Sequence, residues 1–324
     1  MRIGIRLHDS ADGTYEQRLH AVREQGFSCI HLALSKIPDL AALTKDPSAS
    51  MAPATLTPGY AMYLKHCLDA ENLDMAVLGC YKNLADPEDL KAAQAMYTAH
   101  LRFGSWCGAG VVGTETPCRA MSEEQRCSDQ ALEQLARHLE PVVRSAENFG
   151  MVLALEPVYR HVMHSPARAR RLLDMIGSPN LQIILDPVNL IDPAKASLGK
   201  TEASSEEPAA PDGGSAGLPV HQADAVDCSY IDELMAEAVE LLGADTAVIH
   251  LKDFILRDGK MEAVACGLGQ MSCRSESTGA TAYDRIIRYA AECKPHIHAT
   301  LENTKPDNAI SARRFVEELQ AEIE

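Results

Sequence analysis

Apolar and polar positions along this chain fall into two recurring patterns. Short apolar runs of strand length, each closed by a polar or charged residue, are separated by longer stretches with apolar residues at helical spacing. The plainest run is LQIILDPVN, in which Leu181, Ile183, Ile184 and Leu185 are interrupted only by Gln182. It predicts a strand buried on both faces, as in a parallel sheet covered by helices. Pro187 cannot donate to a sheet ladder, so the strand ends there and delivers the Asp186 carboxylate at its carboxyl end. Three other stretches repeat the design: MVLALEPV delivers Glu156, TAVIHLKDF delivers His250 and IHATLENTK delivers Glu302.

Strand-like runs also occur at residues 2–7, 29–34, 75–80 and 111–116, each followed by a segment of helical character. Helices are expected at residues 15–25, 58–72, 87–103 and 128–149, the first ending at Gly26 and the fourth at Gly150, both C-cap signals. Further helices are expected at residues 165–176, where Ser165 caps and Pro166 opens the first turn, and at 230–242, 283–293 and 308–322. Eight strands alternating with helices predict a parallel α/β architecture. The number eight and the acids at strand ends favour a closed (β/α)8 barrel, a single domain over residues 1–324. Residues 193–219, rich in Ala, Ser, Gly, Pro and Glu, read as a flexible insertion after the sixth strand, and residues 255–282 as a long loop.

Composition narrows the partners. The net charge of −16, from 46 acids against 30 Lys and Arg, argues against DNA or an anionic membrane as the main ligand, because such surfaces require basic patches. The ten cysteines are scattered without a CxxC pair, so neither a disulfide framework nor a thiolate zinc site is indicated. MRIGIRL already reads as a strand rather than a signal peptide, and no run reaches the ~18 apolar residues of a membrane span. A soluble, reducing, cytoplasmic protein with a small-molecule substrate is expected, its state as monomer or homo-oligomer left open.

In a parallel barrel the carboxyl ends of all strands open on one face, so Glu156, Asp186, His250 and Glu302 converge on one side of one mouth. Three crowded carboxylates repel unless a cation neutralises them, and three oxygen donors with one imidazole suit a single divalent ion, Mn, Mg, Co or Zn.

The set EPV, LDPVN, IHLKD and LEN at the ends of strands five to eight resembles the xylose isomerase-like superfamily of sugar and sugar-phosphate isomerases and epimerases. The resemblance follows element order along nearly the whole chain, and its specific motifs lie in the second half. It implies metal ligands Glu156, Asp186, His250 and Glu302, with Glu156 and Glu302 as the proton-transfer pair. The implied reaction interconverts a sugar, sugar phosphate or related polyol ketone through a metal-stabilised enediolate, a carbohydrate substrate in each case. One departure is Asn189, where many sugar epimerases of the family carry a substrate-holding histidine, three residues after the strand-six aspartate. Asn exchanges hydrogen bonds but carries no charge.

Other polar residues near strand ends are candidates for substrate contact: Glu115 in GTETP, Asn189, Lys252, Asp253, Arg257 and the loop residue His161. His8, His31 and His164 either approach the mouth or satisfy local hydrogen bonds, and Gly267 and Gly269 either shape a phosphate-binding loop or permit turns. Three alternatives to the isomerase stand beside it. They are a keto-inositol dehydratase of the same superfamily, a non-catalytic sugar-binding protein, and an abasic-site endonuclease, which would need more mouth histidines and basic DNA-facing loops.

Overall fold

Eight of the apolar runs become the staves of a closed parallel barrel in the computed structural model, which describes residues 1–41, 56–198 and 223–323. In chain order the elements are β1 (Arg2–Arg6), α1 (Tyr15–Glu24), β2 (Cys29–Leu32), α2 (Pro58–Ala70), β3 (Asp74–Gly79), α3 (Leu90–Cys107) and β4 (Val111–Glu115). Then come α4 (Glu123–Cys127), α5 (Asp129–Phe149), β5 (Val152–Glu156), α6 (Pro166–Ile176), β6 (Leu181–Leu185), and two short turns of helix, α7 (Pro187–Leu190) and α8 (Pro193–Ala196). The chain finishes with α9 (Cys228–Leu242), β7 (Thr246–Leu251), β8 (Asp253–Arg257), β9 (Lys260–Val264), α10 (Ala282–Cys293), β10 (His298–Leu301) and α11 (Ala309–Ala321). Going round the barrel the order is β1, β10, β7, β6, β5, β4, β3, β2, so β10 closes the ring between β1 and β7.

The helices begin where short polar side chains can take an orphan N–H. Thr14, Thr57, Asp89, Ser128, Ser165 and Thr281 all accept from the first turn that follows them. Asp89 explains why α3 starts at Leu90, three residues later than Pro87 suggests. Gly150 ends α5 at φ 64°, a left-handed conformation that costs a side-chain-bearing residue more than glycine.

Two corrections concern loops. The stretch expected to be a loop from residue 255 opens with an antiparallel hairpin of β8 and β9, registered from Asp253 opposite Val264 to Arg257 opposite Lys260. The insertion expected at residues 193–219 starts with the helical turn α8, capped by Asp192, and its residues 199–219 lie outside the described residues.

The main hydrophobic core lies between barrel and helices, and a second, smaller cluster of Cys29, Ala76, Val77, Ala154, Ile184 and Val248 plugs the barrel. Gly113 belongs to that inner layer, since a Cβ there would sit 2.6 Å from Val77 Cγ1 and 2.7 Å from Ile184 Cδ1. Strand side chains alternate with period two, so the residue two places further on faces inward one layer nearer the mouth. Cys29 is thus followed by His31, Gly113 by Glu115, Ala154 by Glu156, Ile184 by Asp186 and Val248 by His250. The polar site is the next layer above a dry plug.

One buried imidazole outside that layer sets an acid limit on stability. His100 on α3 is buried beside the Met96 carbonyl, 2.9 Å from Nδ1, and burial pushes its pKa from 6.5 down to about 4. Above pH 6.5 both folded and unfolded states are neutral there; as pH falls toward 4 the unfolded chain takes up a proton that the native state refuses. His100 should therefore cost up to ~3 kcal/mol of stability by the bottom of that window. Urea unfolding midpoints across this range should fall less steeply with acid in His100→Gln than in the parent protein.

Candidate active site

Four residues of ligand type meet at the top of the plug. Glu156 ends β5, Asp186 follows β6, His250 lies in β7 and Glu302 follows β10, and all four are buried. His250 Nδ1 stands 3.3 Å from Glu156 Oε2 and 3.3 Å from Glu302 Oε1. Neither contact is aligned as a hydrogen bond, and both ring nitrogens of His250 are buried without one. Donor atoms of Glu156, Asp186 and His250 lie within 4.8 Å of one another, as do those of His31, His250 and Glu302. Orphaned imidazole nitrogens among carboxylates are a donor set that a divalent cation fits.

Protein cations also face these acids. Lys252 Nζ lies 2.7 Å from Asp186 Oδ2 and 3.4 Å from Glu302 Oε2. Arg6, at the end of β1, reaches Glu302 Oε2 at 3.3 Å while its Nε donates to Asp9 at 2.7 Å. Burial alone would raise the Glu302 carboxyl, but His250, Lys252 and Arg6 together hold it well below the usual carboxylate range. Asp186 goes the other way: burial pushes it up to about 6, against the pull of Lys252. His250 resists burial and is raised to about 8 by Glu302 and Glu156.

Two residues brace this cluster. Asn189 uses its backbone N–H to cap Asp186 Oδ1 at 3.1 Å and its side-chain amide to donate to Glu156 Oε1, linking the acids of β5 and β6. His31 stacks on the His250 ring at 5.0 Å between centroids, with Tyr81 Oη 3.0 Å from its Nε2.

Above the cluster opens a cavity of about 830 Å³, walled by loops that follow the barrel strands and by Ala263 of the hairpin. The family model for xylose isomerase-like TIM barrels matches residues 19–292, well over half of the chain. The chain belongs to that family. The match stops short of β10 and begins after β1, yet both strands complete the ring and contribute Glu302 and Arg6.

No curated protein matches this family member in sequence. Among solved structures, a D-tagatose 3-epimerase-like protein superposes with TM-score 0.65 at 14% identity, covering 100% of this chain and 98% of its own. The IOLI protein with a bound zinc atom gives TM-score 0.62 at 11% identity, covering 100% and 98%. A probable 3-DHS dehydratase from Bacillus anthracis gives 0.60 at 13%, covering 98% of both chains. At these identities the likeness is one of fold.

The other sequence candidates divide. Glu115, Asn189, Lys252, His161 and His8 line the cavity. Glu115 ends β4 beside Glu156 in register, and burial followed by the Glu156 charge pushes its pKa up to about 7. His161 Nδ1 lies 3.7 Å from Glu115 Oε2, and burial takes the imidazole down to about 4.

Asp253 and Arg257 do not line the cavity, contrary to expectation, and neither does His164. Arg257 stands at the turn end of the hairpin opposite Lys260. The buried Asp253 carboxylate accepts backbone N–H groups from Phe254 at 2.8 Å, Met271 at 2.8 Å and Gly267 at 3.2 Å. Gly267 therefore spends its N–H on Asp253, and a Cβ on Gly269 would fall 2.2 Å from the Phe254 carbonyl oxygen. These glycines close a loop around an internal acid, not around a phosphate.

Sequence reasoning missed Arg6 and Tyr81. The signal was present: Arg6 follows Gly4 and Tyr81 follows Gly79 by the same two-residue step that delivers the acids. Asp253→Ala would strand the buried N–H groups of Phe254 and Met271 and should cost about 3 kcal/mol in urea unfolding. Glu115→Gln, half-exposed at the cavity wall, should cost less than about 1 kcal/mol in the same measurement.

Proposed function

We propose that this protein is a divalent-metal-dependent isomerase or epimerase acting on a sugar, sugar phosphate or related polyol ketone by proton transfer. The observation that carries the reading is the meeting of Glu156 and Glu302 at one imidazole, His250 Nδ1, from strands three places apart round the barrel. Glu156, Asp186, His250 and Glu302 would hold one metal ion. When bound, such an ion withdraws charge from a substrate carbonyl and so acidifies the hydrogen on the adjacent carbon.

The remaining work falls to the chain's own groups. One glutamate carboxylate removes the carbon-bound proton; its return to the neighbouring carbon gives the isomer, and delivery by the other glutamate to the opposite face of the same carbon gives the epimer. Asn189 fixes Glu156 through its amide, while Arg6 and Lys252 fix Glu302, so both carboxylates are oriented before substrate arrives. Glu115 and His161 form a polar wall beside Glu156 for hydroxyl groups of the substrate. Loss of a hydroxyl after the same proton removal would instead make the protein a dehydratase, which product analysis separates.

The test is metal analysis of the purified protein, then NMR detection of solvent deuterium entering a panel of ketoses, inosose and sugar phosphates. Glu302→Gln should lower exchange by at least about 1,000-fold. It should weaken metal binding less than His250→Ala, measured as metal content after dialysis. Metal binding without exchange on any panel member would instead identify a binding protein, and undiminished exchange in Glu302→Gln would refute the assigned roles.

A further inference from the structure

We propose that the substrate carries a terminal oxyanion, a carboxylate or a phosphate, which seats against Lys36, Arg119 and Arg160 at the cavity mouth. This names the substrate class for the metal-dependent reaction proposed above and rests on that reading.

The three cations come from separate loops, after β2, β4 and β5, and all line the one cavity. Each is exposed, and among the described residues none has an acidic partner within ion-pair distance. Most other arginines of the chain do, Arg6, Arg126, Arg168, Arg170, Arg285 and Arg313 among them, each standing against a carboxylate. In a protein of net charge −16, a cavity mouth with three unpaired cations runs against the composition. The loops carrying Arg119 and Arg160 are tied, because Cys118 Sγ donates to the Arg160 carbonyl at 3.7 Å.

Charge balance in the floor leaves these cations without an internal counterion. With a divalent ion held by the three acids and a neutral His250, that ion and Lys252 balance Glu156, Asp186 and Glu302, while Arg6 is matched by Asp9. With the floor neutral, the mouth holds three cations against Glu115 alone. Guanidinium groups on adjoining loops are suited to forked recognition of carboxylate or phosphate oxygens. The other candidate anion site, at Gly267 and Gly269, is closed by Asp253.

The experiment is calorimetric titration of the metal-loaded full chain with D-fructose, D-fructuronate and D-fructose 6-phosphate, which differ only at carbon six. At least one of the two anions should bind about tenfold or more tightly than fructose, a preference that salt weakens. Their ranking tells carboxylate from phosphate. The double variant Arg119→Gln/Arg160→Gln should bring the anions to the level of fructose, with an unchanged thermal melt because both side chains are exposed. Equal affinity for all three probes, no binding of any, or an anion preference that survives the double substitution would overturn the inference. Anion preference without deuterium exchange would leave it standing and sink the proton-transfer reading; exchange on neutral ketoses without anion preference would do the reverse.

Discussion

Closing eight parallel strands into a ring brings every strand end to one rim, and in this chain those ends carry like charge. Glu156, Asp186 and Glu302 are each almost fully buried within reach of one imidazole. Burying an unpaired carboxylate costs several kcal/mol, and three together repel one another as well. The arrangement persists only because cations and donors are built in around it. Lys252 stands between Asp186 and Glu302, Arg6 reaches Glu302 from β1, and Asn189 bonds to both Glu156 and Asp186. The supports are themselves fixed: Arg6 by Asp9, and the backbone carbonyl of Lys252 by the Tyr283 hydroxyl at 3.1 Å. A sequence without these partners could form the same barrel, but it could not keep three ionised acids at its centre.

The plug explains how such a charged layer coexists with a stable ring. Gly113, Ala154 and Cys29 leave room for Val77, Ile184 and Val248, so the barrel interior is filled by small and branched side chains directly below the acids. Among the described residues the plug closes the barrel from underneath, and the polar layer faces the cavity. Interactions among the acids, His250 and Lys252 therefore act in a medium of low effective dielectric, where each is stronger than at a surface.

Most of the ring and the four central residues were legible because their signals are local. An apolar run, a terminating proline and an acid, as in LQIILDPVN, state both strand and strand end within nine residues. Barrel closure then follows from counting. What stayed hidden depends on contacts distant in sequence. Asp253 reads as one more polar strand end, and only the fold shows its carboxylate already occupied by the N–H groups of Phe254, Gly267 and Met271. The hairpin stayed hidden because Lys260 and Glu262 interrupt KMEAV on β9, which has no buried position and lacks the continuous apolar run that marks the barrel strands. Arg6 and Tyr81 are not metal-ligand types, so only the period-two step along their strands marks them, as it marks Glu115.

Net charge and local charge answer different questions. The −16 of the whole chain governs its encounter with extended polyanions, whose many phosphates sample the entire surface. A molecule small enough to enter the cavity samples little beyond a Debye length of about 8 Å at physiological salt. What lines that cavity includes Lys36, Arg119 and Arg160, and acids already held by Lys252, Arg6 and His250. A net acidic charge and the proposed anion seat at the mouth are therefore compatible, since an extended polyanion and a small anion feel different parts of one charge distribution.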